Sequence, residues 1–300
     1  MVFTVTGSTG TIGSELTRLL SAAQAPTRAV FRNAAKTQRL PDVVWLQADL
    51  RDAHVLEPTL AGTTRLFLLT DNAKGFSRLQ IDVLRAAENL GVAHVVKLSA
   101  LGASDHSGSS IAREHWEVEQ ALRQTSMTWT ILRPHAFMQN WLGEFADSVR
   151  SEGIMEAAIG DGCVPFIDTR DIAAVAAEAL LHPEVHAGQK YFLTGGEAVG
   201  LADLAAVLSD LTGRTVMYRP ISLDEARARL KAHGMPSDQA EAMLAIVAYQ
   251  KAGGPTAMVS DKVTRILGRP PRTIRDFAQD HIEWFKTPHG SLHLESANGA

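Results

Sequence analysis

Val2-Phe3-Thr4-Val5-Thr6-Gly7-Ser8-Thr9-Gly10-Thr11-Ile12-Gly13 opens the chain and decides its fold. Val2, Phe3 and Val5 carry the branched and aromatic side chains of a buried strand. Glycines follow at 7, 10 and 13, and residues 14–23 then place Leu16, Leu19, Leu20 and Ala23 on one helical face. A strand, a glycine turn and a helix form the first unit of a dinucleotide-binding fold. Gly7 turns the chain off the strand, Gly10 removes a side chain where backbone meets a pyrophosphate, and Gly13 lets the helix approach the sheet. The helix start leaves free N–H groups and partial positive charge, both suited to an anion. Thr9, Thr11 and Ile12 share this turn and join the expected contacts. The spacing is Gly-x-x-Gly-x-x-Gly, not the Gly-x-Gly-x-x-Gly of ordinary dehydrogenases.

Outward from this unit the pattern repeats. Strands are predicted at 28–31, 43–46, 65–69, 95–98 and 128–132, with helices at 76–90 and 111–124 among them. This alternation predicts an α/β fold with a Rossmann-type, doubly wound parallel sheet. Ligands of such sheets lie beyond the carboxyl ends of the strands. That rule selects Arg32 and Asn33, Asp49 and Leu50, Leu69 and Thr70, and Ser99, Ala100 and Leu101. Pro134, His135, Phe137 and Met138 follow the strand at 128–132 and either flank the nicotinamide or, for Phe137 and Met138, begin a core-facing helix.

The end of the second strand chooses the coenzyme. A free ribose 2′-hydroxyl calls for an acidic residue there. The chain has Arg32, with Lys36 one helical turn beyond. A guanidinium matches a 2′-phosphate and Lys36 adds a second charge, so the expected cofactor is NADP(H). Asp49 is placed to bind the adenine amino group, to cap the next helix, or both.

Composition narrows the rest. The chain has 300 residues, 45% hydrophobic and 21% charged, enough for a full core. A net charge of −4 without a basic stripe argues against nucleic acid as a partner. The lone Cys163 excludes an intrachain disulfide, fits a reducing cytoplasm and reads as a small buried side chain. No basic leader precedes the first strand, and no apolar run reaches the roughly 18 residues of a membrane span.

Residues 1–140 and 160–200 are expected to form the dinucleotide-binding domain, with 141–159 and 201–286 as a smaller C-terminal α/β substrate lobe. Residues 164–171 read as a short strand leading to a helix capped at Asp171. Further helices are predicted at 201–211, after the capping box of Ser222 and Glu225, at 239–249, and from Thr273 through Phe285. Met235, Met243, Tyr249 and Met258 line a pocket or fill the core. Residues 287–300, rich in Gly, Ser, His and Asn, read as a disordered tail.

Several motifs together give a resemblance. They are Thr6-Gly7-x-x-Gly10-x-x-Gly13, Val30-Phe31-Arg32-Asn33, His115-x-x-x-Glu119, and Trp129-Thr130-x-Leu132-Arg133-Pro134-x-x-Phe137-Met138-x-Asn140. Ile167-Asp168-x-Arg170-Asp171-Ile172-Ala173 and Leu267-Gly268-Arg269-Pro270-Pro271-Arg272 complete the set. With these, residues 2–286 resemble the NmrA-like group of atypical short-chain dehydrogenases. That group includes triphenylmethane reductase, a bacterial NADPH quinone reductase, the festuclavine-type ergot alkaloid dehydrogenases, and the NmrA regulator, which binds dinucleotide without turning it over.

Ordinary members of the wider superfamily use Tyr-x-x-x-Lys. Here Tyr191, Tyr218 and Tyr249 are followed four residues later by Gly195, Ser222 and Gly253. Ketone and alcohol chemistry, which needs an acid at oxygen, is thereby disfavoured. Quinones, cationic dyes and imine-like acceptors need mainly a positioned hydride. His115 is the remaining acid, in the helix that carries the superfamily's catalytic residues, with an ordinary pKa of about 6.5. Alternatively His115 and Glu119, four residues apart on one helix face, form a packing hydrogen bond. No spacing of His, Cys and carboxylates resembles a metal site. The resemblance thus implies an NADPH-dependent reductase of a small-molecule electron acceptor, monomeric or homodimeric. The other reading is an NADP-binding redox sensor that acts through a protein partner.

Overall fold

A computed structural model describes residues 1–34 and 37–286. Its strands are β1 (Phe3–Val5), β2 (Thr27–Phe31), β3 (Val43–Gln47), β4 (Arg65–Leu68), β5 (His94–Leu98), β6 (Thr128–Pro134), β7 (Ile154–Ala157), β8 (Gln189–Leu193) and β9 (Met217–Pro220). Seven of them form one sheet in the order β3-β2-β1-β4-β5-β6-β8, and each registered pair is parallel. The order reverses between β1 and β4. In sheets of this kind the ligand lies at the carboxyl ends of the strands, where the order reverses.

Side-chain alternation assigns the helices to the two faces. Phe67, Val96 and Leu98 point to one face, where Leu16 and Leu20 of α1 (Thr11–Ala22) meet Ile172, Ala176 and Leu180 of α6 (Thr169–Leu181). Leu66, Leu68 and Val95 point to the other, where α2 (Ala53–Leu60), α3 (Phe76–Asn89) and α4 (Ser110–Arg123) add Leu60, Leu84 and Leu122. Each fully buried leucine contributes about 1.5–3 kcal/mol. With both faces covered, even a lysine on a central strand is enclosed: Lys97 of β5 has no exposed surface.

A second core is built around β7 and β9, which pair in parallel. It collects Val149 of α5 (Glu144–Glu152), Met155, Leu204, Leu208, Phe277 and Phe285. Neither α5 nor β7 was distinguished within 141–159. The cues were local: Gly143 and Gly153 bracket the helix, both with positive φ, with Glu144 and Asp147 in its first turn and Arg150 in its last.

Other expectations are corrected. Residues 164–171 form two isolated bridges, Phe137 to Ile167 and Val164 to Val199, instead of a strand. Helix α6 begins one turn earlier, because Asp168 accepts from the Arg170 N–H at 2.8 Å. Asp171 instead accepts from the Arg272 N–H at 2.7 Å and from the Arg269 side chain at 2.8 Å. The Thr273 helix divides at His281 into Ile274–Asp280 and Ile282–Lys286. Cys163 is exposed, not buried. Met243, Tyr249 and Met258 are 40%, 50% and 70% exposed, so the core is not their place. Lys36 and the tail at 287–300 lie outside the described residues.

Candidate active site

The glycine turn is held from three sides. Gly7 has φ +63°, and a Cβ there would come within 3.0 Å of the Leu69 carbonyl oxygen. A Cβ at position 13 would stand 2.1 Å from the Gly7 carbonyl oxygen, so only glycine lets α1 start this close to β1. Thr6 Oγ1 donates to Leu69 O and accepts from Leu69 N, tying β1 to the loop after β4. Ser8 Oγ donates to Val30 O at 2.7 Å and ties the turn to β2. Sequence reasoning passed over Thr6 and Ser8 as positioning groups. Gly10 caps α1 with no side-chain hydrogen bond, leaving the first-turn N–H groups at Thr11, Ile12 and Gly13 for an anion. This bare helix start in a cradle that excludes Cβ atoms fits a dinucleotide pyrophosphate.

Beyond β2 and β3 lies a cleft of about 460 Å³ lined by Arg32, Asn33, Gln47, Ala48, Asp49 and Arg51. Arg32 Nη2 reaches Asp71 Oδ2 at 2.8 Å, across the tip of β1 from β2 to the loop after β4. Arg51 binds Asp49 at 2.6 Å and holds its carboxyl down at about 2. Asp49 does not cap α2; Asp52 does, accepting from the His54 N–H. Neither Asp71 nor Arg51 is among the site residues expected from sequence. Leu50 is buried in the core under α2.

At the tips of β4, β5 and β6 most backbone groups are engaged in the fold. Ser99 N donates to Leu132 O at 2.7 Å, and Leu101 N to Pro134 O at 3.1 Å. Ala100 accepts from the Ala103 N–H. Thr70 Oγ1 accepts from Gln80 Nε2 at 2.7 Å. His135 has both ring nitrogens engaged: Nδ1 accepts from Ala136 N, and Nε2 lies 2.9 Å from Thr256 O. Its side chain is therefore a tie to the segment after residue 252, with burial pressing its pKa to about 4. Met138 opens a short 3-10 turn, Met138–Trp141, and is buried in the second core. Phe137 is half-buried against the first core.

Under β5 and β6 the charged groups are buried. Glu119 is wholly buried and accepts from Ser99 Oγ at 2.5 Å, Arg133 Nε at 2.8 Å and Arg133 Nη2 at 2.6 Å. The expected His115–Glu119 bond does not form. His115 is 5% exposed, its ring tilted 4.7 Å from that of Phe76, and Lys97 Nζ lies 3.1 Å from its Nδ1. Its pKa is not the ordinary one: burial, with Lys97 and Arg133 nearby, holds it well below that value. The imidazole is neutral near pH 7 and serves as a hydrogen-bonding group. Glu114, one residue before it, accepts from Gly75 N and Ser77 N and so joins α4 to the start of α3.

Among the described residues no cluster of His, Cys, Asp and Glu could hold a metal, and no helix is long and apolar enough to cross a membrane. The chain is 38% identical over 283 residues to the NAD(P)H azoreductase of Xenophilus azovorans, covering 94% of this chain and 98% of that protein. It is 35% identical to the (4-alkanoyl-5-oxo-2,5-dihydrofuran-3-yl)methyl phosphate reductase of Streptomyces griseus, with the same two coverages. The NADPH-dependent quinone oxidoreductase of Escherichia coli, solved with NADPH, superimposes with a TM-score of 0.81 at 28% identity, over 93% of this chain and 99% of that one. From residue 2 to residue 273, from the first strand to the cap of the penultimate helix, the sequence matches the family model of the same lineage, and the chain belongs to the NmrA-like family.

Proposed function

We propose that this chain reduces a flat, electron-poor acceptor, such as a quinone, a cationic or azo dye, or an imine-like compound, with NADPH as reductant. The class, an NAD(P)H-dependent oxidoreductase, is that of its relatives. It favours turnover over a sensor that binds dinucleotide without reaction. When bound, NADPH supplies the hydride. The chain's own part is to hold, orient and exclude water. The N–H groups at Thr11, Ile12 and Gly13 take the pyrophosphate, and Arg32 takes the 2′-phosphate in exchange for Asp71.

The observation that carries the acceptor class is His115. It stands where the helix after β5 offers its first polar ring, and burial keeps that ring from storing a proton at neutral pH. Such a group donates a hydrogen bond without being a strong acid. That is enough for an acceptor with a low-lying empty orbital and too little for a simple ketone.

The segment after α6 supplies the cover. His135 bonds Thr256, Thr194 Oγ1 accepts from Ser260 N at 2.9 Å, and Lys74 pairs with Asp238 at 2.9 Å. These ties bring residues 238–260 over the tips of β4, β6 and β8. The segment carries Met243, Ile246, Tyr249 and Met258 with exposed apolar surface, which suits a flat aromatic acceptor. Residues 141–159 and 201–286 together form the acceptor lobe in this reading.

The test is oxidation of NADPH, followed by its absorbance, with quinones, a triarylmethane dye, an azo dye and an unactivated ketone. Turnover with the first three classes and none with the ketone is expected. NADPH that binds and is never oxidised by any of them would reject the reductase.

A further inference from the structure

The Lys97–His115 pair is not used by coenzyme binding as described, and its enclosure is costly. A lysine without exposed surface on a central strand loses its hydration, and burial presses its pKa down to about 7 against the opposing pull of Glu119. Its Nζ donates to the Leu98 carbonyl and meets His115 Nδ1 at 3.1 Å. The surrounding elements bring few charges to this point. From α4 come His115 and Glu119, and from β6 comes Arg133, which Glu119 binds in both directions of its fork. Lys190 of β8 acts on that Glu119–Arg133 pair. From α3 comes Phe76, which is uncharged.

An ammonium has three donors and no acceptor. Against it, Nδ1 of a neutral imidazole must present its lone pair, and the ring proton must then sit on Nε2. Among the described residues, Nε2 of His115 has no hydrogen-bond partner and is not one of the fully buried atoms left without one, so the 5% of the residue that is exposed includes this nitrogen. We propose that Lys97 is a positioning residue for the reduction: its N–H against Nδ1 holds His115 as the Nε2–H tautomer, so that the ring meets the acceptor as a neutral hydrogen-bond donor. This rests on the reading of His115 as the group that faces the acceptor. Hydride arrival leaves negative charge on a quinone oxygen or an azo nitrogen. An N–H aimed at that atom stabilises the charge, whereas a bare ring nitrogen would repel it. Once Lys97 loses its proton, its nitrogen gains a lone pair and can accept from Nδ1–H as readily as donate, so the tautomer is no longer fixed. The donor form is thus enforced on the acid side of Lys97 ionisation and relaxes on the alkaline side.

The experiment is the ¹⁵N spectrum of histidine-labelled full-length protein at pH 6, with the His115 signals assigned by their loss in His115→Phe. The wild type should show a bare Nδ1 and a protonated Nε2. Lys97→Met, which keeps the apolar stem, should show both tautomers or the Nδ1–H form. A wild-type ring protonated on Nδ1, or on both nitrogens, overturns the proposal without any variant having to fold. So does a Lys97→Met spectrum identical to wild type. At saturating NADPH, turnover of Lys97→Met should fall roughly 10–100-fold, the loss expected for one hydrogen bond to a charged group. Wild-type turnover should depend on pH between 6 and 8 and the variant's remaining activity should not, with NADPH affinity unchanged; a variant that keeps the wild-type pH profile counts against Lys97. If His115→Phe turns over normally while the tautomer still depends on Lys97, the reading of His115 fails. If His115→Phe is impaired and the tautomer ignores Lys97, only the role of Lys97 fails.

Discussion

Arg32 and Arg133 stand near the tips of parallel strands and each grips a carboxylate, but in different solvents. The Arg32–Asp71 pair has side chains 53% and 31% exposed, whereas the Arg133–Glu119 pair has 7% and 0%. Water screens the first, and a ligand phosphate can replace its carboxylate at little cost. The second is enclosed with Ser99, beside Lys97 and His115, and has no exchange partner. The outer pair is suited to recognising a coenzyme that comes and goes. The inner one fixes the groups that must not move when charge develops on an acceptor.

The largest way to break this contrast is Glu119→Ala. It strands a buried guanidinium and should cost about 3–5 kcal/mol of stability, read by urea unfolding. Glu119→Gln, which keeps hydrogen-bond acceptors, should cost less. A loss no greater than that of an exposed pair would show the inner cluster to be hydrated. Acid should also act first on buried histidines. Burial lowers His94 and His135 to about 4 from an ordinary 6.5. Between those values the unfolded chain binds more protons than the folded one, so stability falls as pH drops from about 6.5 to 4. Melting temperatures across that window check the sign.

Next in size is coenzyme choice. Arg32→Ala removes one charged hydrogen bond and should weaken NADPH about 10–150-fold while barely changing NADH. Equal losses would make Arg32 a structural residue. The smallest effect belongs to its partner. Asp71→Asn frees Arg32 from an exposed pair worth about 0.2–1 kcal/mol, so NADPH should bind up to about fivefold tighter at low salt, with the gain disappearing at high salt. Weaker NADPH binding in this variant would mean that Asp71 orients Arg32 for the phosphate.

The outer half of this comparison was legible in sequence because it follows from local pattern. Gly7, Gly10 and Gly13 announce the turn, and Arg32 announces the strand end, each within a few residues of its neighbours. The partner Asp71 was not legible, since only the order β2-β1-β4 brings its loop to Arg32, whereas Arg51 stands two residues from the Asp49 it binds and was open to a local reading. Lys97 was passed over for a related reason. In His94-Val95-Val96-Lys97-Leu98 a charged residue reads as solvent-facing on an alternating strand. A central parallel strand has no solvent face, and that rule, applied to β5, would have found it. His115 was found by elimination, but its pKa was misjudged because helix spacing shows which residues share a face and not how deeply the face is covered. Asp168 and Asp171 stand one turn apart, and either residue type can cap a helix. The choice was made by Arg269 and Arg272, about a hundred residues away, which hold Asp171.

The division of labour is tested most directly by measuring NADPH affinity and turnover at saturating NADPH, side by side, on Arg32→Ala and His115→Phe. Arg32→Ala should lose affinity and keep its saturated turnover with a quinone or cationic dye. His115→Phe should keep affinity and lose turnover. Both variants losing the same quantity, or His115→Phe losing only affinity, would contradict the account.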